Sequence, residues 1–209
     1  LTNAAVADSF NLARDYDDSA GDIPHYFASS VVWDVPVGRG RAAQPGGVLG
    51  ALVNDWSLAT VVTLQSGVPV AVTQANSLGY AGFTTQRPNI VGDPTLPADE
   101  QTPARWFNTA AFTTANQFTI GSASRNPVRG PSSHDVDLAV MRRVGFGGER
   151  AIELRLEVFN LLNRANFAPP NLTVFAARAN SEPALPTFGR IRSTVTSSSP
   201  RRAPRLPSN

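Results

Sequence analysis

The sequence has no cysteine, one methionine and two histidines, and every one of its 18 basic residues is arginine. Without cysteine there are no disulfides, thiolate metal sites, thiol nucleophiles or iron–sulfur clusters. With only His25 and His134 to supply imidazole, a histidine-based metal centre is not expected either. Charge is scarce: 16 % of the 209 residues are charged, against roughly 25 % in an ordinary soluble domain. The net charge of +2 is too small to argue for nucleic acid. No apolar run approaches the ~20 residues of a transmembrane helix. No signal peptide opens the chain and residue 1 is Leu, so an internal piece of a longer protein is expected.

What the sequence does have is glycine and proline (16 and 17 residues) and a recurring period of two. Residues 25–36 place Phe27, Val31, Trp33 and Val35 on one side, with Val32 the exception on the other. Residues 55–72 place Trp56, Leu58, Thr60, Val62 and Leu64 together. Residues 134–146 set Val136, Leu138, Val140 and Val144 against Asp135, Asp137, Ala139, Met141 and Arg143, with Arg142 among the apolar set. Residues 150–163 are clearest: Ile152, Leu154, Leu156 and Val158 oppose Glu153, Arg155 and Glu157. An apolar set at every second position winds around a helix but lines one face of a strand. Four strands are therefore predicted, with neighbours paired antiparallel in chain order. Val48–Asn54 has room for one short helical turn. Residues 1–24, 73–133 and 164–189 read as loops without internal pattern.

With no long amphipathic helix to cover them, the apolar faces have two destinations. One is a second sheet in a β-sandwich, a secreted binding or adhesion module. The other is lipid around a transmembrane barrel. Connection lengths favour the barrel: long at 73–133, about five residues at 145–149, long again at 164–189, as outer-membrane barrels alternate short periplasmic turns with long external loops. The connection at 37–54 falls on the periplasmic side by parity. Trp33, Trp56 and Phe146 are then expected at the periplasmic interface, and Tyr26, Phe27, Phe159 and Phe167 near the opposite rim, as two aromatic girdles. The predicted class is all-β: up-and-down antiparallel strands forming part of a transmembrane barrel with long extracellular loops.

The segment Glu157-Val-Phe-Asn-Leu-Leu-Asn163, followed by Arg164-Ala-Asn-Phe167, resembles the late-strand "FNLFN…NF" motif of TonB-dependent receptor barrels. Further segments agree in order: Trp33-Asp-Val-Pro-Val-Gly38, Leu64-Gln-Ser-Gly-Val-Pro69, Arg87-Pro-Asn-Ile-Val-Gly-Asp-Pro94, Trp106-Phe-Asn-Thr-Ala-Ala-Phe112, Arg125-Asn126 with Arg129-Gly-Pro131, and Phe188-Gly-Arg-Ile191. Together they are similar to the C-terminal part of an Oar-like receptor. The resemblance implies a 22-stranded barrel with an internal plug, importing a ligand across the outer membrane with energy from the TonB complex. The implied partners are outer-membrane lipid, the TonB complex through upstream regions, and an unidentified transported ligand; no cofactor and no enzymatic activity are implied. One departure stands out. Family members end on an aromatic strand residue, whereas residues 200–209 carry Pro200, Pro204 and Pro207 and end on Asn209. Residues 1–199 are thus read as barrel segment and 200–209 as a disordered tail that cannot supply a closing strand.

Candidate chemistry is thin. His134 and Asp135 are adjacent on a strand and point to opposite faces, so with Ser132 and Ser133 they make no catalytic relay. Asp15–Asp22 spaces its oxygens like a calcium loop but lacks glycine at the sixth position and acid at the twelfth, and reads as a solvated acidic loop. Gly38-Arg-Gly-Arg41 and Gly145-Phe-Gly-Gly148 sit outside any βαβ unit and read as turns. Asp135, Asp137, Arg143, Glu153, Arg155 and Glu157 are candidate lumen-facing residues, as an ionic ladder or in contact with a ligand.

Overall fold

The computed structural model describes residues 8, 10–38, 40–75, 85–116, 118–145, 150–176 and 182–195. Phe146, the connection 146–149 and the tail 200–209 lie outside them. Two compact units result: His25–Gln65 with Ser133–Asn166 and Val195–Asn209, and Leu1–Pro24 with Ser66–Ser132 and Phe167–Thr194.

The first unit is a four-stranded antiparallel sheet. Its strands are β1 (Tyr26–Asp34), β2 (Trp56–Gln65), β3 (Ser133–Gly145) and β4 (Ala151–Val158), paired in chain order. The four expected strands are all present, though β1, β2 and β4 are shorter than predicted. β2 stops at Gln65, two residues before a crowded glycine. A Cβ on Gly67 would lie 1.8 Å from the Gly130 carbonyl oxygen, so the chain there packs backbone against backbone. Pro69–Val70 then pairs with Val128–Arg129 in the second unit.

β4 stops at Val158 because Asn160 takes a left-handed backbone (φ 49°), which asparagine tolerates better than most residues. Its N–H donates to Asp137 Oδ1 at 2.9 Å, and the Leu161 N–H donates to Val136 O at 2.7 Å. Asn160 Nδ2 and Oδ1 bond the Arg164 carbonyl and N–H at 2.9 and 3.0 Å. Asn163 is left-handed too (φ 47°), and buried Asn166 accepts the His134 N–H at 2.9 Å. The asparagines of the Phe159–Phe167 segment are thus turn and capping residues.

Helix α1 (Gly47–Val53) lies within the connection from β1 to β2, as the predicted helical turn. At Gly38 (φ 137°) an added Cβ would collide with Asp55, so only glycine closes this connection.

The second unit corrects the expectation of patternless loops. Residues 66–132 and 167–194 build a core from Val72, Phe107, Ala111, Phe112, Val128, Val174, Phe175 and Phe188. Phe107, Phe112 and Phe188 meet edge to face at centroid distances of 4.9–6.1 Å. Fully buried Gln74 donates to Ala115 O at 3.2 Å and accepts the Ala115 N–H at 2.9 Å. Two-residue strands pair Gln74–Ala75 with Thr85–Gln86 and Asn89–Ile90 with Phe112–Thr113. Residues 10–22, which include the Asp15–Asp22 stretch read as a solvated acidic loop, are tied into this unit. They include a 3₁₀ turn at Leu12–Asp15; Asp15 pairs with Arg87, Asp18 and Asp22 pair with Arg129, and Asp17 accepts the Asn126 N–H at 2.6 Å.

Candidate membrane-facing and lumen-facing surfaces

Cross-strand partners point to the same side of a sheet, so register decides which side chains share a face. Trp33 pairs with Leu58, Leu58 with Val140 and Val140 with Leu156. Val31, Thr60, Leu138 and Val158 form the next row. The same face carries Phe27, Leu64, Val62, Val136, Leu154 and Ile152. The four alternating patterns therefore coincide: a one-residue slip of any strand would have broken the apolar face. The face is open, with Leu154 and Leu156 56 % and 62 % exposed. β2 has 10 residues; at ~3.4 Å per residue and a tilt near 45°, such a strand spans about 24 Å, the height of an outer-membrane apolar band.

The opposite face gathers all six candidate lumen residues. Arg143 stands across from Glu153, and Arg155 from Met141. The ionic ladder is only partly formed: Arg155 pairs with Glu157 two residues along the same strand, and among the described residues no ion pair joins Arg143 to Glu153. Asp137 is engaged with the Asn160 N–H. Asp135 Oδ1 is buried with no hydrogen-bond partner, which leaves it an acceptor in want of a donor. His134 and Asp135 sit on opposite faces, across from Leu64 and Thr63.

Trp33 and Trp56 lie at the same end of the sheet on the apolar face, and Phe159 is exposed just past β4. Arg142, the basic exception on that face, stands opposite Trp56 with its guanidinium 5.3 Å from the ring centroid. It also donates to the Asn54 carbonyl at 3.3 Å and to Ala51 O, while the Trp56 indole N–H donates to Leu52 O at 2.8 Å. The Ala51 and Leu52 carbonyls, left bare at the end of α1, are thereby satisfied. Sequence reasoning placed neither Arg142 nor α1 in any site; the signal was an arginine inside an otherwise apolar alternation.

On the other side of α1, a cavity of about 700 Å³ is lined by Asp34, Arg41, Asn54, Asp55, Arg143 and Glu153 among others. Asn54 Oδ1 there is buried without a partner. In the second unit, Asp17 titrates below its ordinary value: partial burial pushes the carboxyl up, and hydrogen bonds from the Asn126 N–H, Ser124 and the Asp18 N–H together with the Arg87 charge outweigh it. Among the described residues no cluster of His, Asp and Glu is arranged to hold a metal.

The chain matches a family model described as an outer membrane beta barrel domain over residues 1–204. No curated protein and no solved structure matches it. The match covers nearly the whole chain, and it fits a strand-built sheet with one apolar and one charged face. It displaces the secreted sandwich. The chain belongs to the outer membrane beta barrel domain family, is part of a barrel, and is located in the outer membrane.

Proposed function

We propose that the chain is a wall segment of a TonB-dependent receptor, with no catalytic role, in a barrel that takes up a ligand across the outer membrane. The observation that carries this is the sheet itself. It has one predominantly apolar face for lipid, interrupted by Arg142 and His134, one face bearing Asp135, Asp137, Arg143, Glu153, Arg155 and Glu157 for a water-filled lumen, and two outer edges, unpaired among the described residues, that require further strands. The similarity of the Phe159–Phe167 segment and its companions to receptor motifs supports the transport class. In this reading the 35–55 end is periplasmic and the long connections are extracellular.

The test needs no known ligand. The complete receptor, purified in detergent, is passed over immobilised periplasmic domain of TonB. Retention that a peptide copy of its own N-terminal TonB-contacting segment competes away supports the proposal. Flow-through of folded, heat-modifiable receptor would sink TonB coupling and leave the barrel standing.

A further inference from the structure

Helix α1 is inside out for a water-soluble turn. Gly47, Gly50, Ala51 and Asn54 line the cavity beneath it, whereas Val48, Leu49 and Leu52 point away and are 81 %, 62 % and 62 % exposed. Small residues face inward and large apolar residues face outward, at the i, i+1, i+4 spacing of one helical stripe. The helix is fixed to the membrane face: the Trp56 indole N–H bonds Leu52 O at 2.8 Å, and Arg142 reaches the Ala51 and Asn54 carbonyls. Trp33 lies on that face at the same end.

We infer that α1 is a monolayer anchor. Its outer stripe sits in the boundary between headgroups and acyl chains of the periplasmic leaflet, with Arg142 against phospholipid phosphate and the two tryptophans at the same level. The occupant is phospholipid because the stripe continues the lipid-facing sheet surface and a fixed cation stands beside it. Short interfacial helices of this kind bury their apolar side about 5–10 Å below the headgroups. Such an anchor fixes the barrel's height in the bilayer at the rim where the plug and the periplasmic partner would meet it. The inference rests on the barrel reading of the chain.

The chain has no cysteine, so in an otherwise cysteine-free receptor a single introduced thiol carries one dye. Leu49→Cys and, as the mid-membrane reference, Leu138→Cys, four residues along the strand from Arg142 on the same face, are labelled with an environment-sensitive fluorophore. The complete receptor is reconstituted in phosphatidylethanolamine–phosphatidylglycerol vesicles. The expected result is stronger quenching at 49 by lipids brominated near the carbonyl end than near the methyl end, and the reverse at 138. Quenching at 138 without quenching at 49 overturns the anchor and leaves the barrel intact; quenching at neither overturns both. Rapid labelling of Leu49→Cys in intact cells by a membrane-impermeant maleimide also overturns the periplasmic assignment. Leu52→Cys replaces Leu49→Cys if the latter fails to assemble.

Discussion

Asn160 shows how much one residue decides at the end of β4. Its left-handed backbone releases the chain from the ladder, and its amide holds the Arg164 backbone while its N–H occupies Asp137. Asn160→Ala keeps none of the amide bonds and places an alanine where the left-handed conformation costs about 1–2 kcal/mol. Asn160→Gly removes that strain and should recover part of the loss. Urea midpoints of the folded, heat-modifiable receptor are expected in the order wild type, Gly, Ala; Ala equal to wild type would refute the assignment. Asp17 makes a pH-dependent contribution. Its carboxyl titrates below the ordinary value of 3.8 in the folded unit, so its stabilisation is fully present above that pH and is lost as pH falls through the depressed folded value. Hydrogen exchange of residues 10–22, corrected for intrinsic rate, should accelerate below about pH 4 in the wild type. Asp17→Asn should exchange faster at neutral pH and lose that extra acid sensitivity. The acidic spacing of Asp15–Asp22 was legible in the sequence. Its partners Arg87, Asn126 and Arg129 were not, because they stand 72 to 111 positions away.

At the scale of the strand, the two faces predict opposite responses from neighbouring positions. Val158 lies on the apolar face across from Leu138, four residues along the strands from the Leu154–Arg142 row, and Glu157 on the charged face beside Arg155. Val158→Arg puts a charge into lipid away from the interface, which costs roughly 2–4 kcal/mol near the bilayer midplane. Glu157→Leu loses one exposed ion pair, an interaction worth little. Outer-membrane fractionation should therefore show a marked loss of assembled Val158→Arg receptor and near-normal Glu157→Leu; equal levels would contradict the facing. These strands were readable because each carries its own two-residue period, and register merely had to align four such patterns. Their ends were not. β2 halts where Gly67 meets the Gly130 carbonyl, and β4 where a backbone angle changes sign, neither of which leaves a mark on hydropathy.

At the scale of the molecule, the parts least visible in the sequence are those that fold without periodicity. The core of the second unit joins Val72, Phe107, Phe112, Val128, Val174 and Phe188, whose spacing follows no helix or strand. Segments that resembled receptor motifs, such as Trp106–Phe112 and Phe188–Ile191, supply that core without revealing how it assembles. The sheet poses the opposite problem: its pattern is plain and its closure lies elsewhere. β1 and β4 each pair on one side only among the described residues. In hydrocarbon each unpaired backbone group costs several kcal/mol, so an open edge does not persist there. Known barrels close with eight or more strands, twice the four present in this sheet. Residues 25–166, secreted alone behind a cleavable signal, should therefore give no membrane-embedded, heat-modifiable monomer. The same strands within the complete receptor should give one. If copies of the segment close a ring with each other, an SDS-resistant oligomer appears and edge pairing is still obligatory. A monomer of the segment that resists urea extraction from outer membranes and shifts on heating would show that four strands satisfy their own edges, and the wall-segment reading would fall.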